Sequence, residues 1–242
     1  MNKARVMIDE AYARSRSTKD EIEIPRYIAI EGAIGAGKTT LSELLAIQYS
    51  AQLILERYEE NPFLENFYQD QRRMAFQTQV FFLLSRYRQQ QELFQTDLFY
   101  TSIVSDYLFA KDRIFASVNL NEDELKLYDQ IERALGKTIP IPDVVIYLQA
   151  SVAQLEENIH KRGRPFERNL SRKYLEDLVH SYNDFFFHYR ETRLIVVNAG
   201  SLNFMEEPSH LDLLVNAINR TPHPPVEYLN PAASDTHFTL EG

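Results

Sequence analysis

The sequence predicts an α/β protein, a three-layer sandwich with a five-stranded parallel sheet at its centre. Short apolar runs alternate along the chain with longer segments whose apolar residues recur every three or four positions, which is typical of strands joined by crossover helices. A glycine-rich segment, Gly32-Ala33-Ile34-Gly35-Ala36-Gly37-Lys38-Thr39, separates the first run from the first helical segment. It fits the GxxxxGK[ST] pattern of a phosphate-binding loop, or P-loop, in the strand-to-helix context that this pattern requires.

Five apolar runs are the strand candidates, at residues 27–30, 53–55, 103–104, 144–148 and 194–197. Helices are predicted between them at 39–49, 66–95, 122–135, 152–161 and 172–189. Asn121 and Glu124 have the spacing of a capping box for the third helix, and Ser151 is placed to cap the fourth. Strands that alternate with helices in this way are expected to pair in parallel.

The domain is predicted to span residues 25–218. Residues 1–24 are expected to form a solvated N-terminal leader, because Asp9, Glu10, Asp20 and Glu21 interrupt the basic pattern of an organellar presequence. Residues 219–242 are rich in proline and poor in large apolar side chains. A flexible C-terminal tail is therefore expected.

The overall charge argues against two classes of partner. With 26 basic and 35 acidic side chains the net charge is −9, so the chain is expected to be repelled by nucleic acids and anionic membranes. The longest apolar runs, at 80–84 and 144–148, are far shorter than the roughly 20 residues of a membrane-spanning helix. The chain has no cysteine, which excludes disulfides and favours a reducing compartment, the cytoplasm.

The P-loop predicts a triphosphate site. Glycines let successive backbone N–H groups converge on phosphate oxygens, and the helix that follows presents its positive end to them. Lys38 is expected to reach the β- and γ-phosphates, and the Thr39 hydroxyl to bind Mg²⁺. The predicted ATP-binding residues are Gly32, Ala33, Ile34, Gly35, Ala36, Gly37, Lys38, Thr39 and Thr40.

A P-loop does not by itself identify the phosphoryl acceptor. The sequence has no Asn-Lys-x-Asp guanine-reading motif and is too short for the large motor and helicase cores, so small-molecule kinases remain. Glu56 directly follows the apolar run 53–55. That position is the carboxyl edge of a parallel sheet, where such sheets bind ligands.

Four separate motifs resemble those of a known family. They are Glu56 with the following Glu59-Glu60-Asn61-Pro62-Phe63-Leu64, the series Tyr68, Gln79 and Arg86, the pairs Ser105-Asp106 and Asp112-Arg113, and the basic segment Lys161-Arg162-Gly163-Arg164-Pro165-Phe166-Glu167. From residue 27 to 197 the sequence resembles the deoxynucleoside kinases, in particular the bacterial deoxyadenosine and deoxyguanosine kinases, which are related to deoxycytidine kinase. The resemblance implies a P-loop nucleoside kinase fold, ATP with Mg²⁺, and a role in nucleoside salvage.

The resemblance also implies roles for residues around the acceptor. Glu56 would be the general base on the sugar 5′-hydroxyl, and Tyr68 would contact the 3′-hydroxyl. Gln79 would pair with the edge of the base and Arg86 would help to read it, since a glutamine offers both donors and an acceptor. If the register is shifted, Gln77 is the alternative.

Asp106 ends the third predicted strand, where the resemblance implies a ligand of Mg²⁺. Family members have an arginine directly after this acid, beside the 5′-hydroxyl and phosphate, but Tyr107 stands here. Arg57 or Arg113 is the candidate substitute for the missing charge.

The resemblance further implies that Asp112 partners Arg86 and that the Phe115 ring stacks on the base. A surface salt bridge is the alternative role of Asp112.

The basic segment resembles the family's lid. Arg162 and Arg164 would stabilise charge on the transferring phosphoryl group, because guanidinium groups make forked contacts with phosphate oxygens. Glu167 would be the second ligand of the 3′-hydroxyl. Family members usually pair as homodimers, for which residues 79–95 and 122–135 offer apolar stripes.

The predicted activity is therefore transfer of phosphate from ATP to a deoxynucleoside. The Asn-Pro-Phe-Leu segment, with Arg86 and Asp112, favours a purine, although deoxycytidine-accepting members share the latter two residues. A nucleoside monophosphate kinase is an alternative, because such enzymes share the P-loop and an arginine lid. A catalytically weak nucleotide-binding subunit is another, for which Tyr107 is the best support.

Overall fold

The structure is a computed structural model that describes residues 24–93, 102–136, 139–201, 204 and 206–230. Its centre is a six-stranded sheet with strand order β2-β3-β1-β4-β5-β6, in which every neighbouring pair is parallel. The strands are β1 (Tyr27–Gly32), β2 (Gln52–Ile54), β3 (Ile103–Ser105), β4 (Val144–Gln149), β5 (Arg193–Asn198) and β6 (Val226–Leu229). The α/β class with a parallel sheet is confirmed, whereas the predicted count of five strands was wrong.

The sixth strand lies in the segment predicted to be a flexible tail. β6 pairs with β5 from Leu194 opposite Val226 to Val197 opposite Leu229. Its pattern was hidden because the buried residue at its second position is a charged one, Glu227, which Arg220 contacts at 2.7 Å. The tail prediction was therefore wrong for these four residues, while 231–242 and the leader residues 1–23 lie outside the described residues.

The described helices are α1 (Lys38–Gln48), α2 (Leu64–Gln69), α3 (Gln71–Leu93), α4 (Lys111–Asn119), α5 (Glu122–Leu135), α6 (Val152–Arg162), α7 (Arg172–His188) and α8 (Pro208–Asn219). The single helix predicted at 66–95 is instead two, because Asp70 leaves the helical conformation and its side chain accepts a hydrogen bond from the Arg73 N–H at 3.2 Å. Within the described chain no helix is both long and apolar enough to cross a bilayer.

Both predicted helix caps are present. The Asn121 side chain accepts hydrogen bonds from the backbone of Asp123 and Glu124 at 3.1 and 3.0 Å, and the Glu124 carboxylate accepts one from the Asn121 N–H at 3.1 Å. Ser151 accepts from the Gln154 N–H at 3.3 Å. Side-chain capping of this kind satisfies backbone donors that the helix itself leaves unpaired.

The core has two main parts, and the candidate site lies between them. The central strands β1, β4 and β5 are buried along almost their whole length, as expected for a parallel sheet covered on both faces. A second cluster, which includes Leu83, Ala116, Tyr128 and Leu178, joins helices α3, α4, α5 and α7. Residues of α3, α4 and α7 line the candidate site together with residues that follow β1, β2 and β3.

Candidate active site

The P-loop joins β1 to α1 in a conformation that needs glycine. Gly35 and Gly37 have φ values of 87° and 94°, in the left-handed region that other residues rarely adopt. A Cβ atom on Gly35 would also lie 3.0 Å from the carbonyl oxygen of Leu155. Ala33 and Ala36 are buried in the turn, while Ile34 and Gly35 line the adjacent cavity and Thr40 is exposed.

The Lys38 side chain folds back onto the P-loop. Its ammonium donates to the carbonyl oxygens of Gly32 and Ala33 at 2.7 and 3.1 Å. Burial lowers the pKa of Lys38 to about 8, and the nearby Lys111 ammonium acts in the same direction. In the free protein the Lys38 ammonium therefore loses its proton close to pH 8. The protonated form is the one that could bind phosphate.

ATP affinity is therefore expected to fall above about pH 8. Lys38 is protonated below its pKa and can bind phosphate, and each further pH unit is expected to raise the Kd of ATP by up to about tenfold. Titration calorimetry with a non-hydrolysable ATP analogue from about pH 7 to 9.5 measures this. Lys38→Arg is the control, because an arginine stays protonated over this range. An equal rise of Kd in both proteins would show that another group is responsible.

Asp106 connects the P-loop helix to the end of β2. One of its carboxylate oxygens accepts a hydrogen bond from the Thr39 hydroxyl at 2.9 Å, and the other accepts one from the backbone N–H of Glu56 at 2.7 Å. A carboxylate beside a hydroxyl suits Mg²⁺, which binds hard oxygen ligands and usually combines one or two carboxylates with substrate phosphates. In the described ranges no group of three or more His, Cys, Asp or Glu side chains is placed to hold a metal. Thr39 and Asp106 would thus hold Mg²⁺ together with ATP.

Glu56 follows β2 and lies between two cations. Lys111 contacts one carboxylate oxygen at 2.7 Å, and Arg86 donates to the other. Burial raises the pKa of Glu56, but Arg86, Lys111 and Lys38 outweigh burial and hold that pKa below its ordinary value. The carboxylate is therefore ionised at neutral pH and able to accept a proton.

The predicted nucleoside series lies on α2 and α3, facing the same cavity. Gln79 and Arg86 are buried, whereas Gln77 donates to the backbone of Arg73 at 3.3 Å and does not line the cavity. The structure therefore favours the predicted register over the alternative. Tyr68 stacks on Phe166 of the lid, with ring centroids 5.6 Å apart.

Asp112 and Phe115 reach this cavity from α4. Asp112 is buried and paired with Arg86, so the alternative of a surface salt bridge was wrong. Phe115 lines the cavity, and the Lys111 ammonium lies 5.7 Å from its ring centroid. Arg86 and Asp112, which are 26 positions apart in the sequence, thus meet as one charged pair that lines the same cavity as Phe115.

The lid is a turn between α6 and α7. α6 ends at Arg162, and Gly163 turns the chain with a φ of 71° before a 3-10 turn at Pro165–Asn169. Arg162 donates to both carboxylate oxygens of buried Glu167 at 2.7 Å, while Arg164 lies 3.4 Å from one of them. The Arg164 guanidinium carbon also lies 3.9 Å from the centroid of the Tyr58 ring.

These groups line a single cavity of about 720 Å³, a volume typical of a small-molecule site. The P-loop, the lid and the buried polar groups of α3 and α4 all contribute to its lining. The predicted site residues that line it are Ile34, Gly35, Lys38, Thr39, Glu56, Tyr68, Gln79, Arg86, Asp106, Asp112, Phe115, Arg162, Arg164 and Glu167. The structure brings them together, and their individual roles stay predictions.

Comparison with known proteins identifies the family. The sequence model described as "Deoxynucleoside kinase" matches residues 28–222. The chain belongs to the deoxynucleoside kinase family.

Named relatives and solved structures agree with this assignment. The kinase is 40% identical over 159 residues to a deoxyguanosine kinase of Bacillus subtilis, covering 64% of this chain and 76% of that protein. It is 28% identical over 213 residues to a deoxyadenosine/deoxycytidine kinase of the same organism, covering 84% and 97%. The structure of a deoxyadenosine kinase from M. mycoides with bound dATP superimposes with a TM-score of 0.71 at 27% identity, covering 80% of this chain and all of that one.

Tyr107 marks where this kinase departs from the pattern of the family it resembles. Its side chain is fully buried, and its hydroxyl donates to the Gln89 amide oxygen at 2.9 Å. Neither substitute that the sequence suggested contacts Glu56. Arg57 is 55% exposed and pairs with Glu60 at 3.6 Å, and Arg113 is 38% exposed and pairs with Asp129 at 2.7 Å.

Two buried charged residues of the site were missed by the sequence analysis. Lys111 contacts Glu56, as described above. Glu31 at the end of β1 accepts hydrogen bonds from Gly32 N–H, Leu108 N–H and the Tyr182 hydroxyl at 3.0, 2.8 and 3.1 Å. Burial raises the pKa of Glu31. A charged residue inside the apolar strand 27–32 was the available signal for Glu31, whereas nothing local to residue 111 indicated a partner at residue 56.

Proposed function

We propose that this kinase transfers the γ-phosphoryl group of ATP to the 5′-hydroxyl of a purine deoxynucleoside. The observation that carries the proposal is the position of Lys38 and Glu56 in one cavity. A triphosphate on the P-loop and a hydroxyl at Glu56 would therefore meet in a single enclosed space. Holding two reactants in this way removes much of the entropic cost of bringing them together.

The chemistry follows from the charges around the cavity. Glu56 takes the proton of the 5′-hydroxyl, the sugar oxygen forms a bond to the γ-phosphorus, and the bond from that phosphorus to the bridging oxygen of ADP breaks. Lys38, Arg162 and Arg164 offset the negative charge on the transferring group. Thr39 and Asp106 would hold Mg²⁺, which would supply positive charge that offsets part of the charge of the triphosphate.

The carboxylate at the acceptor end opposes the monophosphate kinase alternative. A carboxylate attracts a hydroxyl, which can donate a proton to it, and repels the dianionic phosphate of a nucleotide. Arg86 and Lys111, the two cations that contact Glu56, are already paired with it. A monophosphate would thus bring unpaired negative charge into a buried site, which is costly.

Discrimination between bases is supported by buried polar groups that line the cavity. Gln79, Arg86 and Asp112 are all buried there and together offer donors and acceptors to the edge of a base. Buried polar groups discriminate strongly, because a wrong base leaves them unpaired. The similarity to a deoxyguanosine kinase favours a purine as the preferred base.

A competition assay tests the function and the base preference together. Deoxyguanosine, deoxyadenosine, deoxycytidine and thymidine are mixed at equal concentration with ATP, and the products are separated. The two purine products are expected to exceed the pyrimidine products by at least about tenfold, the scale of discrimination expected from polar groups in a dry site. Dominance of deoxycytidine monophosphate would contradict the purine preference.

Gln79→Ala and Gln77→Ala form a matched pair for this assay. The two positions lie on the same helix, but only Gln79 lines the cavity. Gln79→Ala is expected to reduce kcat/KM for the preferred purine by about tenfold or more, by leaving polar groups of the base unpaired. Gln77→Ala is expected to leave it unchanged. Equal effects of the two variants would contradict the placement of the base.

We also propose that this kinase is a cytoplasmic homodimer. Leu84 on α3 and Leu127 on α5 are exposed apolar side chains on the two helices that carry the predicted stripes. Residues 94 and 95 of the first stripe lie outside the described chain. Light scattering is expected to give twice the 28.3 kDa mass of one chain, and a monomer would contradict the proposal.

A further inference from the structure

Lys111 is a buried cation that the catalytic scheme above has not assigned. Its side chain is 4% exposed, and its ammonium lies 2.7 Å from one carboxylate oxygen of Glu56. An ammonium in such a place is stable only when a negative group compensates the loss of water. The Lys111 ammonium is therefore stabilised by Glu56, the carboxylate that the proposed reaction uses as its base.

The two cations at Glu56 are not equivalent. Arg86 is shared, because its guanidinium pairs with both Glu56 and Asp112. Arg86 also faces the end of the cavity assigned to the base, so a bound base would compete for its donors. Lys111 makes its ion pair with Glu56 and otherwise lies over the Phe115 ring. Lys111 is thus the cation whose ion pair with Glu56 a bound nucleoside would leave in place.

The backbone before Lys111 is held firmly. The Lys111 N–H donates to the carbonyl oxygen of Leu108 at 3.0 Å, and the Leu108 N–H donates to the buried carboxylate of Glu31 at 2.8 Å. Glu31 also accepts from the Gly32 N–H, at the start of the P-loop. One buried carboxylate therefore connects the turn that presents Lys111 to the loop that would bind the triphosphate.

We propose that Lys111 is the positioning residue for the catalytic base: its ammonium holds the Glu56 carboxylate in the orientation that accepts the 5′-hydroxyl proton. The inference rests on the proposed function, because it needs Glu56 to act as the base. It also offers a substitute for the arginine that Tyr107 replaces. The positive charge beside Glu56 comes from the first turn of α4 rather than from position 107.

Lys111→Met tests the proposal, because methionine keeps much of the length of the side chain and removes its charge. We expect kcat to fall by about tenfold or more, a part of the 10² to 10⁴ that a general base contributes, while KM for ATP changes less than about twofold. Lys111→Arg is expected to recover part of the loss, since arginine keeps the charge but not the geometry. Arg113→Met is the control, because Arg113 lies on the same helix and pairs with Asp129 instead. It is expected to leave kcat unchanged.

The split between kcat and KM separates positioning from mere structural support. The charged groups that face Glu56 are Arg86 of α3, Lys111 of α4 and Lys38 of α1, and its backbone N–H binds Asp106. Arg86 still pairs with Glu56 in Lys111→Met, so KM for the nucleoside is expected to change less than about threefold while kcat falls. An unchanged kcat, or a rise in KM for the nucleoside as large as the fall in kcat, would overturn the proposal.

A double variant tests whether Lys111 acts through Glu56. In a Glu56→Gln background, Lys111→Met is expected to have little further effect on kcat, because the group that it positions is already gone. A further loss equal to that in the parent would overturn the proposal, since Lys111 would then act independently. If the parent itself phosphorylates no deoxynucleoside, the proposed function is wrong, and this inference, which depends on it, is wrong as well. An active parent whose activity Lys111→Met leaves intact overturns the inference alone.

Discussion

Glu56→Gln is expected to lower kcat by about 10² to 10⁴-fold, the usual contribution of a general base. The amide keeps the shape of the side chain but cannot take the 5′-hydroxyl proton. KM for ATP is expected to change little, because the P-loop backbone and Lys38 rather than Glu56 would bind the phosphates. Steady-state kinetics with a purine deoxynucleoside measures both constants.

Glu60→Gln is the matched control for this variant. Glu60 is an exposed acid four positions away that pairs with Arg57, and it does not line the cavity. Its replacement is expected to leave kcat unchanged. A Glu56→Gln enzyme that retained kcat within about threefold of the parent would remove Glu56 from the role of base.

Arg162→Met is expected to lower kcat by at least about 10²-fold, since a guanidinium that stabilises the transferring phosphoryl group contributes 10³ or more in related chemistry. In the structure Arg162 is paired with Glu167 through both carboxylate oxygens. That pair must loosen for Arg162 to reach phosphate, so the effect should appear in kcat more than in the KM for the nucleoside. Single-turnover measurement of phosphoryl transfer separates the chemical step from product release.

Arg168→Met provides the control within the same lid. Arg168 is an exposed arginine of the 3-10 turn and does not line the cavity. Losing it changes the charge of the lid by the same amount. If Arg168→Met slowed the reaction as much as Arg162→Met, the lid would act through its overall charge rather than through one placed guanidinium.

The predicted site residues that line the cavity were indicated by a local pattern or by the family resemblance. The P-loop residues Gly32 to Thr39 are contiguous, and Glu56 directly follows a strand whose carboxyl end has to lie at the ligand-binding edge. Gln79 and Arg86 are seven residues apart on one helix, so both face the cavity. The P-loop and Glu56 predictions therefore rested on local pattern, whereas those for Gln79 and Arg86 rested on the resemblance to the deoxynucleoside kinases.

What the sequence did not predict depends on contacts between distant segments. Lys111 and Glu56 are 55 positions apart, and only the packing of α4 against the end of β2 brings them together. β6 escaped prediction because its buried Glu227 interrupts the apolar pattern, and that carboxylate is tolerated only because Arg193 and Arg220 pair with it. The Lys111–Glu56 pair and strand β6 both depend on buried polar residues, which the pattern of apolar residues does not predict.

The most direct test of the account is to follow the phosphoryl group itself. The purified kinase is incubated with ATP labelled at the γ-phosphate, Mg²⁺ and deoxyguanosine, and the labelled product is identified by chromatography and mass spectrometry. Label is expected in deoxyguanosine 5′-monophosphate, and none is expected in a diphosphate when the monophosphate is offered instead. Label that appears only with the monophosphate, or with neither acceptor, would contradict the proposed function.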